Sequence, residues 1–311
     1  MSTVVVNGLS KRFGDVQAVA DVSFNVEAGE IFGLLGPNGA GKTTTIRMML
    51  DIFKPDQGSI EIFGGRLDVN GKRRTGYLPE DRGLYKDQKL DSTLIYLAQL
   101  KGMEKKTASL RLDIWLERFD LAEHRQKKVS ELSRGMQQKA QIIAALLHDP
   151  DLVVVDEPFS GLDPVNTRMV KGILEELRAE GKTIIMSTHQ MYQVEALCNR
   201  IVLIDKGRSV LYGLVNEIKR NFAGNAIVLQ GQGDFEQLPG VLDTRKENGA
   251  WHLALEMGAD PQELLRALTS RPNLHLERFE LAEPSLEDIF VHVVGGFPIN
   301  EEMAATEESY A

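Results

Sequence analysis

A single cysteine, Cys198, is the only thiol in 311 residues. It excludes an intrachain disulfide framework, and its place in the amphipathic stretch VEALCNRIVLI reads as a small buried hydrophobe without chemistry of its own. Long hydrophobic runs are missing too. No stretch approaches the roughly 18 consecutive apolar residues of a membrane span, and the opening MSTVVVNGLSKRFG lacks the basic, apolar and cleavage regions of a secretory signal. These absences set the expectation of a cytoplasmic chain. There is no internal repeat, no low-complexity segment and no sustained heptad pattern. Positive charge is scarce in the C-terminal third: residues 221–311 hold 5 Lys/Arg against 16 Asp/Glu, a net of −11, which leaves +2 for residues 1–220. That balance argues against nucleic-acid wrapping, and no nucleic-acid partner is expected; a near-neutral body still suits a locally bound polyanion.

What is present is an ordinary globular composition, 42% hydrophobic and 26% charged. The chain is long for one core, so two domains are expected, with a boundary near Arg220 where composition changes. Residues 3–35 carry the short β-rich runs TVVVNGLS, VQAVADVSFNV and EIFGLL, which predict strands joined by tight turns, an N-terminal antiparallel β subdomain. The last run, Ile31 to Leu35, is apolar throughout and predicts a buried strand; KTTTIRMMLDIF behind it predicts a helix that Pro55 stops. Leu94, Leu97 and Ala98, then Leu112, Trp115, Leu116 and Phe119, recur at helical spacing and predict a helical insertion over about 81–148. Beyond it LVVVD, TIIMS and RIVLID alternate with helical stretches, the pattern of βαβ units and a mainly parallel sheet. After Arg220 the pattern restarts with AIVLQ, WHLALEM, DPQELLRALTS, NLHLERFEL and PSLEDIFVHVV. These predict a small α+β domain over 221–296, joined at NFAGN and followed by an acidic tail, 297–311.

Two motifs carry chemistry on their own. GPNGAGKT, comprising Gly36, Pro37, Asn38, Gly39, Ala40, Gly41, Lys42 and Thr43, matches the phosphate loop and lies between a predicted strand and a predicted helix that continues through Thr44. Its glycines let backbone N–H groups approach phosphate oxygens, Lys42 reaches the terminal phosphates, and Thr43 offers a hydroxyl to Mg²⁺. LVVVDE supplies what a phosphate loop lacks: Asp156 as a metal carboxylate and Glu157, one residue on, as a base for a hydrolytic water. Taken alone, with Pro158 following, the same pair would serve equally as a helix N-cap.

The order GPNGAGKT, LSRGM, LVVVDEP, SGLD, STH resembles the ATP-binding subunit of an ABC transporter over residues 3 to about 220. The resemblance implies an α/β P-loop NTPase fold and ATP hydrolysis with Mg²⁺. It also implies a site shared between two copies of the chain or between it and a homologous ATPase subunit. Ser133 and Gly135 would cap the γ-phosphate of ATP held by the opposite subunit's phosphate loop, His189 would contact the same phosphate, and Asp163 would connect the two sites. A helix N-terminus bearing Ser and Gly is a ready anion site, although LSRGM alone is merely an N-cap. Phe13 in KRFG stands where this family stacks an aromatic ring on adenine. With no span of its own, the chain would work from the cytoplasmic face of the membrane on a separate integral permease.

Glu80 in GYLPEDRGLY stands where a Gln is usual, and Arg134 and Met136 stand where the signature usually reads Gly and Gln. A carboxylate at 80 keeps the capacity to bind Mg²⁺ but loses the amide's donor. With the terminal PSLEDIF, these departures resemble the bacterial sodium-export and related export ATPases, which carry a small C-terminal domain. Two other readings stay open: a soluble ABC-type ATPase acting on DNA, ribosomes or metallocluster assembly, and a P-loop kinase. The first is narrowed by the 88 residues between Thr43 and Leu132, too few for a long coiled-coil insertion, and by the presence of one cassette. The second leaves the Ser133 turn unexplained.

Overall fold

The chain opens with two long antiparallel strands, β1 (Ser2–Phe13) and β2 (Val16–Glu27), joined by the turn Gly14-Asp15. Along β2, Val22, Phe24 and Val26 are buried while Ser23 and Asn25 are exposed, the period-two alternation of a sheet with one wet face. Next come β3 (Ile31–Leu35), α1 (Lys42–Met49), β4 (Gln57–Ile62), α2 (Val69–Arg73) and β5 (Thr75–Leu78). In the computed structural model, which describes residues 2–81, 83–222, 226–232, 238, 240–247, 249–255, 259–271, 274–282 and 284–295, the helices α3 (Leu90–Leu100), α4 (Lys105–Arg118) and α5 (Arg134–Leu146) follow. They pack on one another, with Leu94, Ala98, Leu112, Leu116 and Phe119 buried. The expected helical insertion is thus three helices whose spacing-defined faces meet.

From there the chain alternates through β6 (Leu152–Asp156), α6 (Pro164–Ala179), β7 (Thr183–Thr188), α7 (Met191–Leu197), β8 (Arg200–Asp205), β9 (Arg208–Leu214) and α8 (Val215–Phe222). One six-stranded sheet runs in the order β5-β6-β7-β3-β8-β9, parallel except for β9. Every residue of β3, β6 and β7 is buried, as a parallel sheet covered on both faces requires. The three-stranded antiparallel sheet β2-β1-β4 shares its core with this sheet; Phe24 stacks on Phe32 of β3 at 5.1 Å. Cys198 is buried against this architecture, and burial pushes its thiol far up from the ordinary value, so it is an inert hydrophobe.

Two compact units divide between Val215 and Asn216. The boundary that composition suggested after Arg220 therefore falls inside α8, which spans Val215–Phe222. The second unit holds β10 (Ala226–Gln232), β11 (Val241–Glu247), β12 (Ala250–Leu255), α9 (Pro261–Thr269), β13 (His275–Leu281) and α10 (Leu286–Gly295). Its antiparallel sheet, ordered β11-β12-β10-β13, buries Ile227, Leu229, Leu253 and Leu255 with Leu264 and Leu268 of α9. The acidic tail 297–311 lies outside the described residues.

Candidate functional site

Strand register assembles the site. Leu35 of β3 pairs with Thr188 of β7, and Ser187 of β7 pairs with Asp156 of β6, so the loops after three adjacent parallel strands emerge side by side. Those loops carry the phosphate loop, Glu157 and His189. On the other flank of β6, Leu78 pairs with Val155, which brings the segment bearing Glu80 to the same edge. The carboxyl edge of a parallel sheet is where open α/β folds bind ligands.

The phosphate loop follows from the glycines. Gly36, Gly39 and Gly41 have φ of 147°, 82° and 109°, which side-chain-bearing residues rarely adopt. At Gly36 an added Cβ would sit 2.1 Å from the Ile204 carbonyl oxygen, and at Gly41 2.5 Å from that of Ala18. Gly36→Ala is therefore expected to displace the loop and weaken nucleotide binding about 10-fold or more, ~1.4 kcal/mol. Equilibrium binding of a fluorescent ATP analogue checks this, and unchanged affinity would contradict it.

Lys42 is buried, and its ammonium donates to the carbonyls of Gly36 at 2.7 Å and Pro37 at 3.2 Å. Burial pushes its pKa below the ordinary lysine value, partly offset by the negative charges of Glu157, Asp156 and Glu80. Three carboxylates from two segments, the end of β6 and the stretch after β5, thus act on one cation beside the loop. Thr43 and Thr44 lie half-buried in the first turn of α1, and Thr45 instead bonds back to the Gly41 carbonyl at 3.0 Å.

Asp156 is 1% exposed. Its Oδ1 accepts from the Ser187 hydroxyl, while Oδ2 is buried with no hydrogen-bond partner among the described residues. A buried carboxylate oxygen without a donor is costly, and an oxygen-seeking cation removes that cost. No group of three His, Cys, Asp or Glu side chains able to hold a metal occurs among the described residues. One buried carboxylate with an unpartnered oxygen fits the needs of Mg²⁺, which takes one or two carboxylates and completes its shell with phosphate and water.

Glu157 follows with φ of 50°, a left-handed conformation costing about 1–3 kcal/mol in a non-glycine residue. That twist takes it out of the strand, and its N–H donates to the Ser187 carbonyl at 3.0 Å. Its Oε1 accepts from the His189 N–H at 3.1 Å and lies 2.8 Å from His189 Nδ1; its Oε2 accepts from the Thr188 hydroxyl at 3.2 Å. Glu157 is buried, whereas the His189 side chain is 47% exposed. Neither Asp156 nor Glu157 caps a helix: α6 starts at Pro164 and is capped by Asp163, which accepts from the N–H groups of Val165 and Asn166, each at 2.9 Å. These bonds, that of Asn166 foremost, hold the Asp163 carboxyl below the usual carboxylate range.

Four sequence candidates lie at or near the surface. Ser133 caps α5 by accepting from Met136 N–H at 3.3 Å and is exposed, and an added Cβ at Gly135 would meet open space. Phe13 is 43% exposed, edge-on to Phe53 at 5.4 Å. Glu80 is exposed beside the phosphate loop. Ser187 and Thr188, which hold the two carboxylates, enter the sequence reading only as letters of TIIMS and STH, without a role; the available signal was a pair of hydroxyl residues ending a mostly apolar buried strand.

A glycine-wrapped phosphate loop between a parallel strand and a helix, with an aspartate and a glutamate at the end of a strand two places away in the same sheet, defines a P-loop nucleoside triphosphatase. Residues 19–160 match the ABC transporter family, and residues 213–294 match the C-terminal domain of DrrA1-3-like ATP-binding proteins. The ABC transporter ATP-binding protein YhaQ of Bacillus subtilis (strain 168) is 41% identical over 94% of this chain and 98% of its own length. The Nod factor export ATP-binding protein I of Ralstonia nicotianae is 34% identical over 93% of each chain. A solved structure described as the ATP binding subunit of an ABC transporter superposes with a TM-score of 0.67 at 33% identity, covering 71% of this chain and 93% of its own. The chain belongs to the ABC transporter ATP-binding proteins and is an ATPase.

Proposed function

We propose that this chain is the ATP-hydrolysing subunit of an exporter, pairing with a second copy or a homologous subunit on ATP and driving a separate membrane permease. The observation that carries the reading is the carboxylate pair at the end of β6. The unpartnered Asp156 Oδ2 suits a metal, and Glu157, next in the chain, is held at both oxygens by Thr188 and His189. The loop residues Gly36 to Thr44 cradle the phosphates of ATP, and Lys42 exchanges its loop carbonyls for the terminal phosphates. Thr43, Asp156 and Glu80 would hold Mg²⁺, which when bound neutralises charge on the phosphate oxygens.

In hydrolysis, a water attacks the γ-phosphorus as its proton passes to the Glu157 carboxylate. The bond from that phosphorus to the bridging oxygen breaks, and ADP carries the bonding electrons away. His189 is set by its ring nitrogen on Glu157, which leaves the other nitrogen for the γ-phosphate. Ser133 and Gly135 of one copy, exposed at the start of α5, would close over the ATP of the other, with Asp163 linking the two sites. The exposed ring of Phe13 offers a face to adenine. Among the described residues no helix is long and apolar enough to cross a membrane, and the Ralstonia nicotianae relative is named for export. Both support a cytoplasmic-face engine for a separate permease.

Purification of the tagged chain from detergent-solubilised membranes tests this reading. The expected result is a polytopic membrane protein in stoichiometric amount and ATP turnover without any added phosphate acceptor. Acceptor-dependent turnover, or a chain that leaves membranes alone, would count against it.

A further inference from the structure

Buried hydroxyls need partners, and β7 ends on two of them, Ser187 and Thr188, exposed 0% and 1%. Each faces one carboxylate of the site: Ser187 the metal-side Asp156, Thr188 the glutamate that follows. The Thr188 hydroxyl is constrained from both sides. Its oxygen accepts the Gln190 backbone N–H at 3.1 Å, and a backbone N–H can only donate. An ionised carboxylate can only accept, so the Thr188 proton points at Glu157 Oε2, 3.2 Å away. The relay Gln190 N–H to Thr188 hydroxyl to Glu157 fixes Oε2, while both His189 contacts fall on Oε1. Held at both oxygens, the carboxylate has little freedom to rotate.

We infer that Thr188 is the positioning residue for Glu157, its hydroxyl setting the rotamer from which that carboxylate takes the proton of the hydrolytic water. The inference rests on the reading of Glu157 as the base. Thr188 is buried and its hydroxyl is engaged by Glu157 and the Gln190 N–H, so its loss is expected to act on turnover and leave ATP affinity alone. Losing the bond frees the carboxylate to rotate, and misplacement of a base by about 1 Å is a kinetic penalty of one to two orders of magnitude.

Full-length Thr188→Val, Thr188→Ser, Glu157→Gln and the Thr188→Val/Glu157→Gln double variant are compared by equilibrium ATP binding, steady-state turnover and the lifetime of the ATP-bound dimer. Thr188→Val, nearly the same shape without the hydroxyl, is expected to lower kcat about 10-fold, ~1.4 kcal/mol. Its KM and ATP affinity should stay within about 2-fold of wild type, and the ATP-bound dimer should live longer by the same factor as the fall in kcat. Thr188→Ser, which keeps the hydroxyl, should stay within about 2-fold of wild type, and the double variant should be no slower than Glu157→Gln alone. If Thr188→Val does not fold, Thr188→Ala makes the same comparison. Unchanged kcat in the Val variant overturns the inference. Equal loss of kcat and ATP affinity, or a Ser variant as slow as the Val variant, also overturns it by making the residue a packing element. Wild-type turnover in Glu157→Gln removes the base itself, a failure read separately because it needs no change at 188.

Discussion

Glu157→Gln is expected to keep ATP binding, to accumulate an ATP-bound dimer and to lower turnover by about 10² to 10⁴, ~3 to 5 kcal/mol of barrier. The substitution is nearly isosteric, and the surroundings tolerate it. The amide oxygen still accepts from the His189 N–H and ring Nδ1, and the Thr188 oxygen has a second lone pair for the new amide N–H. Lys42 loses one of the three carboxylates acting on it but keeps Asp156 and Glu80. The left-handed backbone at 157 needs no change. What disappears is the group that takes the proton from water, so binding and dimer closure should survive while the chemical step fails. Steady-state turnover beside size-exclusion analysis with ATP reads both effects. Near-normal hydrolysis would remove Glu157 as the base.

How much of this was legible beforehand depended on burial. The central strands β3, β6, β7 and β8 are covered on both faces and appear in sequence as unbroken apolar runs. The edges do not. β4, at the edge of the three-stranded sheet, reads QGSIEI and is mostly exposed, while β11, at the edge of the C-terminal sheet, reads VLDTRKE. Charge and exposure at an edge protect it from pairing with other chains, and they erase the pattern that would announce a strand. In the site, motif chemistry pointed to Lys42, Asp156 and Glu157. The unpaired Asp156 oxygen, the φ of Glu157 and the hydroxyls beneath both arise from β6 and β7 lying side by side in register, which no local signal encodes. Asp163 shows the reverse case: the Asp-Pro step at 163–164 was available as a helix-start signal, and it caps α6 where the carboxylates before Pro158 do not.

The second large effect concerns Ser133. Its hydroxyl caps α5 and faces solvent, as an anion-binding turn meant for a second copy would. Ser133→Arg puts a long cation over that turn and is expected to abolish hydrolysis in a homodimer while the chain's own phosphate loop still binds ATP. Lys42→Ala, at the other half of the site, removes the buried ammonium and is expected to abolish hydrolysis too.

The claim at the centre is that two copies share each ATP site, and mixing these two inactive chains tests it directly. A heterodimer would carry one doubly damaged site and one intact site, made from the phosphate loop of the Ser133→Arg chain and the Ser133 turn of the Lys42→Ala chain. With random pairing, about half the dimers are mixed and half their sites are intact. Turnover should therefore rise to about a quarter of wild type if each site acts alone, well above either homodimer. A mixture no more active than the average of its two parents, or full hydrolysis by either variant on its own, would contradict a shared site.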